Sequence, residues 1–143
     1  MDNVAISRTQ LGGESPMVAT EIFDNSIYTG LFGTIDSARM EAITAKLTNM
    51  VESSNIEFVV IDLSNVDAID TSVASQLMRV ADTISLVGAK PIFCGVKGLI
   101  ARTMVSAGID LGRHHVVRNL KQATEFCIKE SGFELVPIST SKN

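Results

Sequence analysis

The sequence predicts an α/β domain in which about four helices pack on a mixed sheet of four to five strands. Short apolar runs rich in β-branched residues alternate with amphipathic segments of helix length, which predicts strands joined by helices. The first two apolar runs are separated only by a turn, which predicts a hairpin and hence one antiparallel strand. The 143 residues, 45% of them hydrophobic, suit one domain of ordinary size.

The N-terminal part is expected to contain a tail, the hairpin and the first helix. Residues 1–16 are polar and rich in turn formers, so we expect a flexible tail. Two apolar stretches within 17–32 flank Asp24 and form the hairpin. Asp36 is expected to cap a helix over 37–53. One stripe of that helix is apolar and carries Met40, Ile43, Leu47, Met50 and Val51.

The middle of the chain predicts a buried strand followed by a second helix. Residues 58–63 form an almost continuous apolar run, which is typical of a central strand covered on both faces. We expect this strand to end there and a short loop to lead to Asp70. The second helix is expected over about 72–87, with Gly88 as the residue that ends it.

The C-terminal third predicts two strands and two helices. They are a strand over 91–96, a short helix over 98–107, a weak strand over 115–117 and a last helix from Asn119 to Gly132. Strands separated by helices become parallel neighbours through right-handed crossovers. The domain is therefore expected over 17–133, with a second tail over 134–143.

The composition argues against nucleic-acid and membrane proteins. A net charge of −4 at pH 7 opposes binding to phosphate backbones, because that binding relies on Lys and Arg. No stretch approaches the roughly 18 uninterrupted apolar residues of a membrane span. Cys94 and Cys127 are too far apart in sequence for a disulfide or metal pattern. We expect a soluble, cytoplasmic protein with no nucleic-acid or membrane partner.

Sequence motifs for catalysis or cofactor binding are missing. The glycines form no dinucleotide or P-loop fingerprint, and neither a zinc-protease helix nor a nucleophile elbow occurs. His114 and His115 follow Arg113 without an acidic residue close in sequence, and we interpret them as part of a surface turn. The sequence thus predicts no catalytic residue, no metal site and no cofactor.

The segment Asp70-Thr71-Ser72 is the strongest candidate for a functional site. On a helical wheel Thr71 lies about 140° from the centre of the apolar stripe of its helix, so its hydroxyl is expected to be exposed. It lies beside free N–H groups at the positive end of the helix dipole, where a phosphate would be tolerated. Taken alone, however, these three residues are better explained as an N-cap, because Asp, Thr and Ser are residue types that cap helices.

Several short motifs, in a fixed order, strengthen the first interpretation. The first motif is Gly33-Thr34-Ile35-Asp36, and the second has two parts, Val60-Ile61-Asp62-Leu63 and Asp70-Thr71-Ser72-Val73-Ala74. The third is Leu86-Val87-Gly88-Ala89-Lys90. The fourth joins Gly95-Val96 to Ile100-Ala101-Arg102-Thr103-Met104-Val105, and the last is Gly108-Ile109-Asp110-Leu111. With these motifs the chain resembles the STAS domain of bacterial anti-sigma factor antagonists. The resemblance is greatest to stressosome proteins of the RsbR and RsbS type, and it implies a STAS fold.

The resemblance implies a non-catalytic switch in signal transduction and stress response. Thr71 matches the position that a partner serine/threonine kinase of the anti-sigma type phosphorylates and a phosphatase restores. Ser72 is the competing acceptor, and Thr103 matches a second phosphorylated position. The resemblance further implies partner switching with other STAS proteins and a homo- or hetero-oligomer. The expected partner-binding residues are Asp36, Asp62, Asp70, Thr71, Ser72, Gln76, Arg79 and Arg102.

Two other functions are compatible with the same fold. A STAS module that binds a small ligand or nucleotide, or that serves a transporter as accessory subunit, would need a basic phosphate pocket. The sequence offers only the scattered Lys90, Lys97 and Arg102. An enzyme on an α/β scaffold would need a nucleophile–base motif, and fold alone does not determine function. Val73 departs from the Gly that simple antagonists carry after the second hydroxyl, and in this it resembles the stressosome type.

Overall fold

The computed structural model describes residues 17–139, which form one sheet with helices on both faces. The expected tail over 1–16 and the last four residues of the second tail lie outside the described residues. The elements in chain order are β1 (Met17–Phe23), β2 (Ser26–Thr34), α1 (Ser37–Ser53), β3 (Phe58–Ala68), α2 (Thr71–Leu86), β4 (Lys90–Cys94), α3 (Gly98–Ser106), a 3-10 turn (Leu111–Arg113), β5 (His115–Val116) and α4 (Leu120–Glu130).

The five strands lie in the order β1-β2-β3-β4-β5. β1 pairs antiparallel with β2, and every later pair is parallel. The predicted mixed sheet and its opening hairpin are therefore confirmed. Because β2, β3 and β4 are parallel, their carboxyl ends meet at one edge of the sheet. The helices α1, α2 and α3 that follow these strands begin at that edge.

The sheet separates two hydrophobic cores. The larger core joins one face of the strands to α1, α2 and α3, with residues such as Val59, Leu47 and Val73 in contact within it. The smaller core lies on the opposite face, where Val60 and Ile92 pack against α4 through Ala123 and Cys127. Successive right-handed crossovers in one direction place the first three helices on the same face.

Local side-chain chemistry fixes the ends of the helices as the sequence predicts. Asp36, Asp70 and Asn119 cap α1, α2 and α4, each accepting a hydrogen bond from a backbone N–H three residues later. At the end of α2, Gly88 takes a φ of 101°, which L residues with a side chain rarely adopt. The N–H of Ala89 then reaches the Ile84 carbonyl at 3.1 Å, completing a Schellman motif.

The central strand β3 is longer than predicted, and the expected loop after residue 63 is wrong. The strand continues to Ala68 because it contains two bulges, each adding one residue relative to β2. The first bulge changes which face each side chain occupies. Leu63 and Val66, three residues apart, are therefore both buried in the larger core, each with 1% exposure. A regular strand would have placed them on opposite faces.

The histidine pair is also placed differently from the prediction of a surface turn without an acidic partner. The carboxylate of Asp82 on α2 lies 2.9 Å from His114 Nε2 and accepts two hydrogen bonds from Arg113. The hydrogen bond from His114 is the main reason that the pKa of Asp82 is lowered. The His115 ring stacks on Phe126 with 3.9 Å between centroids. Both histidines thus join the last strand to neighbouring helices.

The described residues 17–139 contain no helix that is long and apolar enough to cross a membrane. In the same range, no group of three or more His, Cys, Asp or Glu side chains is placed to hold a metal ion. Cys94 and Cys127 are buried and free, both facing the smaller core.

Replacing Gly88 with Ala is expected to destabilise the protein by about 1–2 kcal/mol, because the new side chain would be forced into a left-handed conformation. No atom lies within 4 Å of the added Cβ, so steric clash does not contribute. Gly98→Ala is the matched control, since Gly98 opens α3 without a positive φ and should be neutral or slightly stabilising. Urea unfolding of both variants measures the difference; equal effects would contradict this explanation.

Candidate functional site

The starts of α1 and α2 lie side by side at the carboxyl edge of the parallel strands. Asp36 accepts a hydrogen bond from the Arg39 N–H at 2.9 Å, and Asp70 accepts one from the Val73 N–H at 2.8 Å. The hydroxyl oxygens of Ser37 and Ser72 are 3.5 Å apart. Two helix N-termini and two capping carboxylates therefore share one exposed surface. We call these residues, 36–37 and 70–72, the helix-start surface.

Thr71 and Ser72 are exposed at the first two positions of α2, whereas Val73 is buried. The predicted exposure of Thr71 is therefore confirmed. The N-cap of α2 is Asp70, so neither hydroxyl is required for that role. The Thr71 hydroxyl forms no side-chain hydrogen bond to any described residue, which leaves it free to react at the surface.

Gln76 and Arg79 lie further along α2 and line a groove between α1 and α2. The groove encloses about 420 Å³, and its other wall includes Glu41 and Thr44 of α1. Arg79 is exposed and Gln76 is half-buried. The structure thus brings these two predicted residues onto a surface that continues from the helix-start surface. No pattern in the sequence predicted that α1 contributes to this groove.

Arg102 and Thr103 lie on α3, which packs beside α2. Arg102 is exposed, whereas Thr103 is half-buried. The Thr103 hydroxyl donates a hydrogen bond to the Leu99 carbonyl at 3.1 Å. Thr103 therefore differs from Thr71, because its hydroxyl is already bonded within its own helix.

Asp62 is separate from these exposed residues and is 7% exposed. Its carboxylate accepts a hydrogen bond from the Tyr28 hydroxyl at 2.7 Å and another from the Ser64 N–H at 3.0 Å. A side chain buried to this extent supports the strand from inside and leaves little surface for a partner. Tyr28 was missed by the sequence reasoning, and the only local sign of it is Gly30, a residue that strand interiors disfavour.

The environment of Asp62 disfavours ionisation of its neighbours. Burial, and then the hydrogen bond to Asp62, raise the pKa of Tyr28 to about 12. Burial, and then the charge of Asp62, raise the pKa of the Cys94 thiol to about 12. A protonated Cys94 is a poor nucleophile, so this cluster has the chemistry of a structural network and not of a catalytic site.

Comparison with known proteins gives one family and several relatives. The family model described as the STAS domain matches residues 18–124. The RsbT co-antagonist protein RsbRA of Bacillus subtilis (strain 168) is 31% identical over 117 residues, which cover 82% of this chain and 43% of that protein. The chain thus spans less than half the length of that relative.

Two groups of solved structures share the fold. The anti-sigma factor antagonist SpoIIAA of Bacillus, in its unphosphorylated form, has a TM-score of 0.66 and 13% identity, covering 85% of this chain and 99% of that one. A structure of SpoIIAA in its phosphorylated form also matches. A chain of the stressosome, a signal integration and transduction hub, has a TM-score of 0.65 and 18% identity, covering 81% of this chain and 100% of that one.

The ionisation of Tyr28 gives a direct test of the buried network, because the chain contains one Tyr and no Trp. Ultraviolet titration of the folded protein should show a midpoint near pH 12, whereas the unfolded chain in urea should titrate near pH 10. The folded pKa is the higher one, so Tyr28 contributes stability below pH 10 that is lost as the pH rises through the folded value.

Asp62→Asn should lower the midpoint of the folded protein but leave it above 10, because burial, the larger cause, persists. Circular dichroism at each pH verifies that the chain stays folded during the titration. A midpoint near 10 in the folded wild-type protein would contradict the network.

Proposed function

The chain belongs to the STAS domain family, and on that premise we propose that it is a non-catalytic regulatory protein of the anti-sigma factor antagonist type. In this proposal the chain binds a partner serine/threonine kinase and related STAS proteins. Phosphorylation of Thr71 switches this binding, and a phosphatase reverses it. The observation that carries the proposal is the free, exposed Thr71 hydroxyl beside an Asp70 that already caps α2.

The names of the similar proteins support a regulatory role. One relative is a co-antagonist of RsbT, and a fold neighbour has been solved in phosphorylated and unphosphorylated forms. The match of Asp70-Thr71-Ser72 to the family motif supports Thr71 as the proposed acceptor. Because the fold neighbours have low identity, their behaviour supports the proposal only together with the geometry of this chain.

Phosphorylation would change the charge of the helix-start surface strongly. A phosphate on Thr71 adds about −1.5 to −2 charges next to Asp70, with Asp36 on the neighbouring helix. The free N–H groups at the start of α2 partly compensate that charge, so the helix tolerates it. An acidic partner surface would then be repelled, whereas a basic one would be attracted. The modification would thereby change which partner is bound without changing the fold.

The partner surface extends from Thr71 to the groove that Gln76 and Arg79 line. Arg79 supplies a positive charge there, and Glu41 across the groove supplies a negative one. Such a mixed surface favours a partner with complementary charges around a small apolar contact. Arg102 on α3 adds a further exposed cation to this side of the protein.

Thr103 is proposed as a secondary acceptor. Its hydroxyl must first leave the Leu99 carbonyl, so its modification costs one intrahelical hydrogen bond that Thr71 does not lose. Thr71 is therefore expected to react first under the same conditions.

The small-ligand function has weaker support. Lys90 begins β4 and Lys97 follows its end, so the two cations lie at opposite edges of the sheet. Lys90 also lies over the Phe126 ring, 5.5 Å from its centroid. These positions do not form a shared basic pocket for a phosphate.

Thr71→Ala is expected to leave the protein folded and to abolish phosphate incorporation by its partner kinase. The serine/threonine kinase encoded nearest to this chain in its genome is incubated with each variant, and mass spectrometry maps the modified residues. Thr83→Ala is the matched control, since Thr83 is on the same helix with its hydroxyl bonded to the Arg79 carbonyl. Thr71→Asp should mimic the modified state only in part, because it has a single charge and fewer acceptor oxygens.

The mapping also discriminates between the acceptors. Phosphate found only on Ser72 would move the site by one residue, and phosphate found only on Thr103 would move it to α3. Absence of phosphate from all three hydroxyls of the wild-type protein would overturn the proposed switch.

We further propose that the chain forms dimers or larger species, alone or with related STAS proteins. Within residues 17–139, β1 pairs only with β2, so no described strand pairs with the backbone groups of its other side, and such groups favour strand pairing. Val18 on β1 and Phe32 on β2 are 56% and 44% exposed. Both residues would lose contact with water if a second subunit covered this edge.

Val18→Lys is therefore expected to shift sedimentation toward the monomer, because Lys on an edge strand opposes pairing. Val105→Lys is the control, since Val105 is 76% exposed on α3, away from this edge. A wild-type protein that sediments only as a monomer at high concentration, and forms no mixed complex with a related STAS protein, would contradict the proposal.

A further inference from the structure

The buried carboxylate of Asp62 lies where the central strand stops following a regular register. Gly30 of β2 pairs with Asp62, but the next pair joins Phe32 to Asn65, so β3 contains one extra residue at this point. The Ser64 N–H donates to the Asp62 side chain at 3.0 Å. The carboxylate therefore serves as acceptor inside the bulge for an N–H of the same strand.

The second oxygen of the carboxylate is held from the neighbouring strand. Tyr28 lies two residues before Gly30 on β2, and its hydroxyl donates to Asp62 Oδ2 at 2.7 Å. A charged group that is buried this deeply is stable only when hydrogen bonds replace its lost water. Tyr28 and Ser64 supply those bonds from two different parts of the sheet.

Two glycines leave the space that this network occupies. A Cβ on Gly95, which has a φ of 70°, would lie 2.6 Å from Asp62 Oδ1 and 2.9 Å from the Ser64 backbone nitrogen. A Cβ on Gly30 would lie 2.7 Å from the Tyr28 hydroxyl oxygen. Side chains at either position would displace the network, so residues of β2 and β3 and the residue that follows β4 are matched to it.

The bulge determines where the following residues emerge. It allows Val66 to enter the larger core. Two residues later the Ala68 carbonyl accepts a hydrogen bond from the Ile35 N–H at 3.2 Å. Asp70 then caps α2, and Thr71 is the first residue of that helix. A slip of one residue at Asp62 would move this segment by about 3.3 Å and reverse its faces.

We propose that Tyr28 and Asp62 are positioning residues of the switch. They hold the first bulge in β3 and thereby fix the position of Thr71 for the kinase. This inference rests on the proposed function for the role of Thr71 and extends it to the half-buried Tyr28 and the buried Asp62 on the opposite face of the sheet. Asp62 then acts from inside the protein, and not as the surface contact that the sequence predicted.

Tyr28→Phe tests the inference because it removes one hydroxyl and retains the ring. Amide hydrogen exchange over residues 64–72 is expected to rise at least about ten-fold, since a hydrogen bond to a charged group is lost. Exchange in α4 should change by less than about two-fold, because the retained ring keeps its packing against the smaller core that α4 covers. Thr29→Val is the matched control, since its hydroxyl is on the same strand, buried and unpaired among the described residues.

Phosphorylation kinetics distinguish a residue that positions Thr71 from one that contacts the kinase. Tyr28→Phe should lower kcat for Thr71 phosphorylation by about ten- to a hundred-fold, because a displaced acceptor is poorly aligned. Arg79→Ala, at the exposed groove, should mainly raise KM. Asp62→Asn retains one acceptor oxygen, so its kcat should lie between those of the wild-type protein and Tyr28→Phe.

Unchanged exchange over residues 64–72 in Tyr28→Phe would overturn the inference, as would an equal rise of exchange throughout the sheet. An unchanged kcat with raised local exchange would also overturn it, because the bulge would then be irrelevant to the acceptor. A wild-type protein without phosphate on Thr71, Ser72 or Thr103 would instead overturn the proposed function, and the exchange result would still decide whether the pair holds the segment.

Discussion

A charge buried at the first bulge of the central strand is the constraint on which the site depends. Asp62 is 7% exposed, and a carboxylate at that depth requires hydrogen bonds that water no longer supplies. The structure provides them through Tyr28 and Ser64. Because one of these donors belongs to the same strand, satisfying the charge also bends that strand into a bulge. This arrangement fixes the position at which α2 begins.

The hydrogen-bond network of Asp62 and the exposed helix-start surface consequently lie in different parts of the sheet. The face covered by α4 contains the half-buried Tyr28 and the buried Asp62, whereas the exposed helix starts lie at the carboxyl edge of the parallel strands. Thr71 gains its freedom from Asp70, which satisfies the helix N-terminus in its place. In the proposed switch a phosphate is added or removed at low cost to folding, which is a physical requirement for reversible regulation.

Features that depend on neighbours in sequence were predictable, and features that depend on distant partners were not. The caps at Asp36, Asp70 and Asn119 act over three residues, and the apolar periodicity of α1 is visible within one segment. The pair Tyr28 and Asp62 is separated by 34 residues. The bulges of β3 exist only relative to β2, so the apolar pattern alone suggested an early strand end. Asp82 and His114, 32 residues apart, were likewise beyond local reasoning.

A hydrogen-exchange footprint of the complex between this chain and its kinase tests the central claim most directly. The account predicts protection over the starts of α1 and α2 and along the groove that Gln76 and Arg79 line, with loss of this protection when Thr71 carries phosphate. Exchange in α4 should be unchanged, since that helix lies on the opposite face. Protection confined to α4, or a footprint that phosphorylation does not alter, would contradict the account.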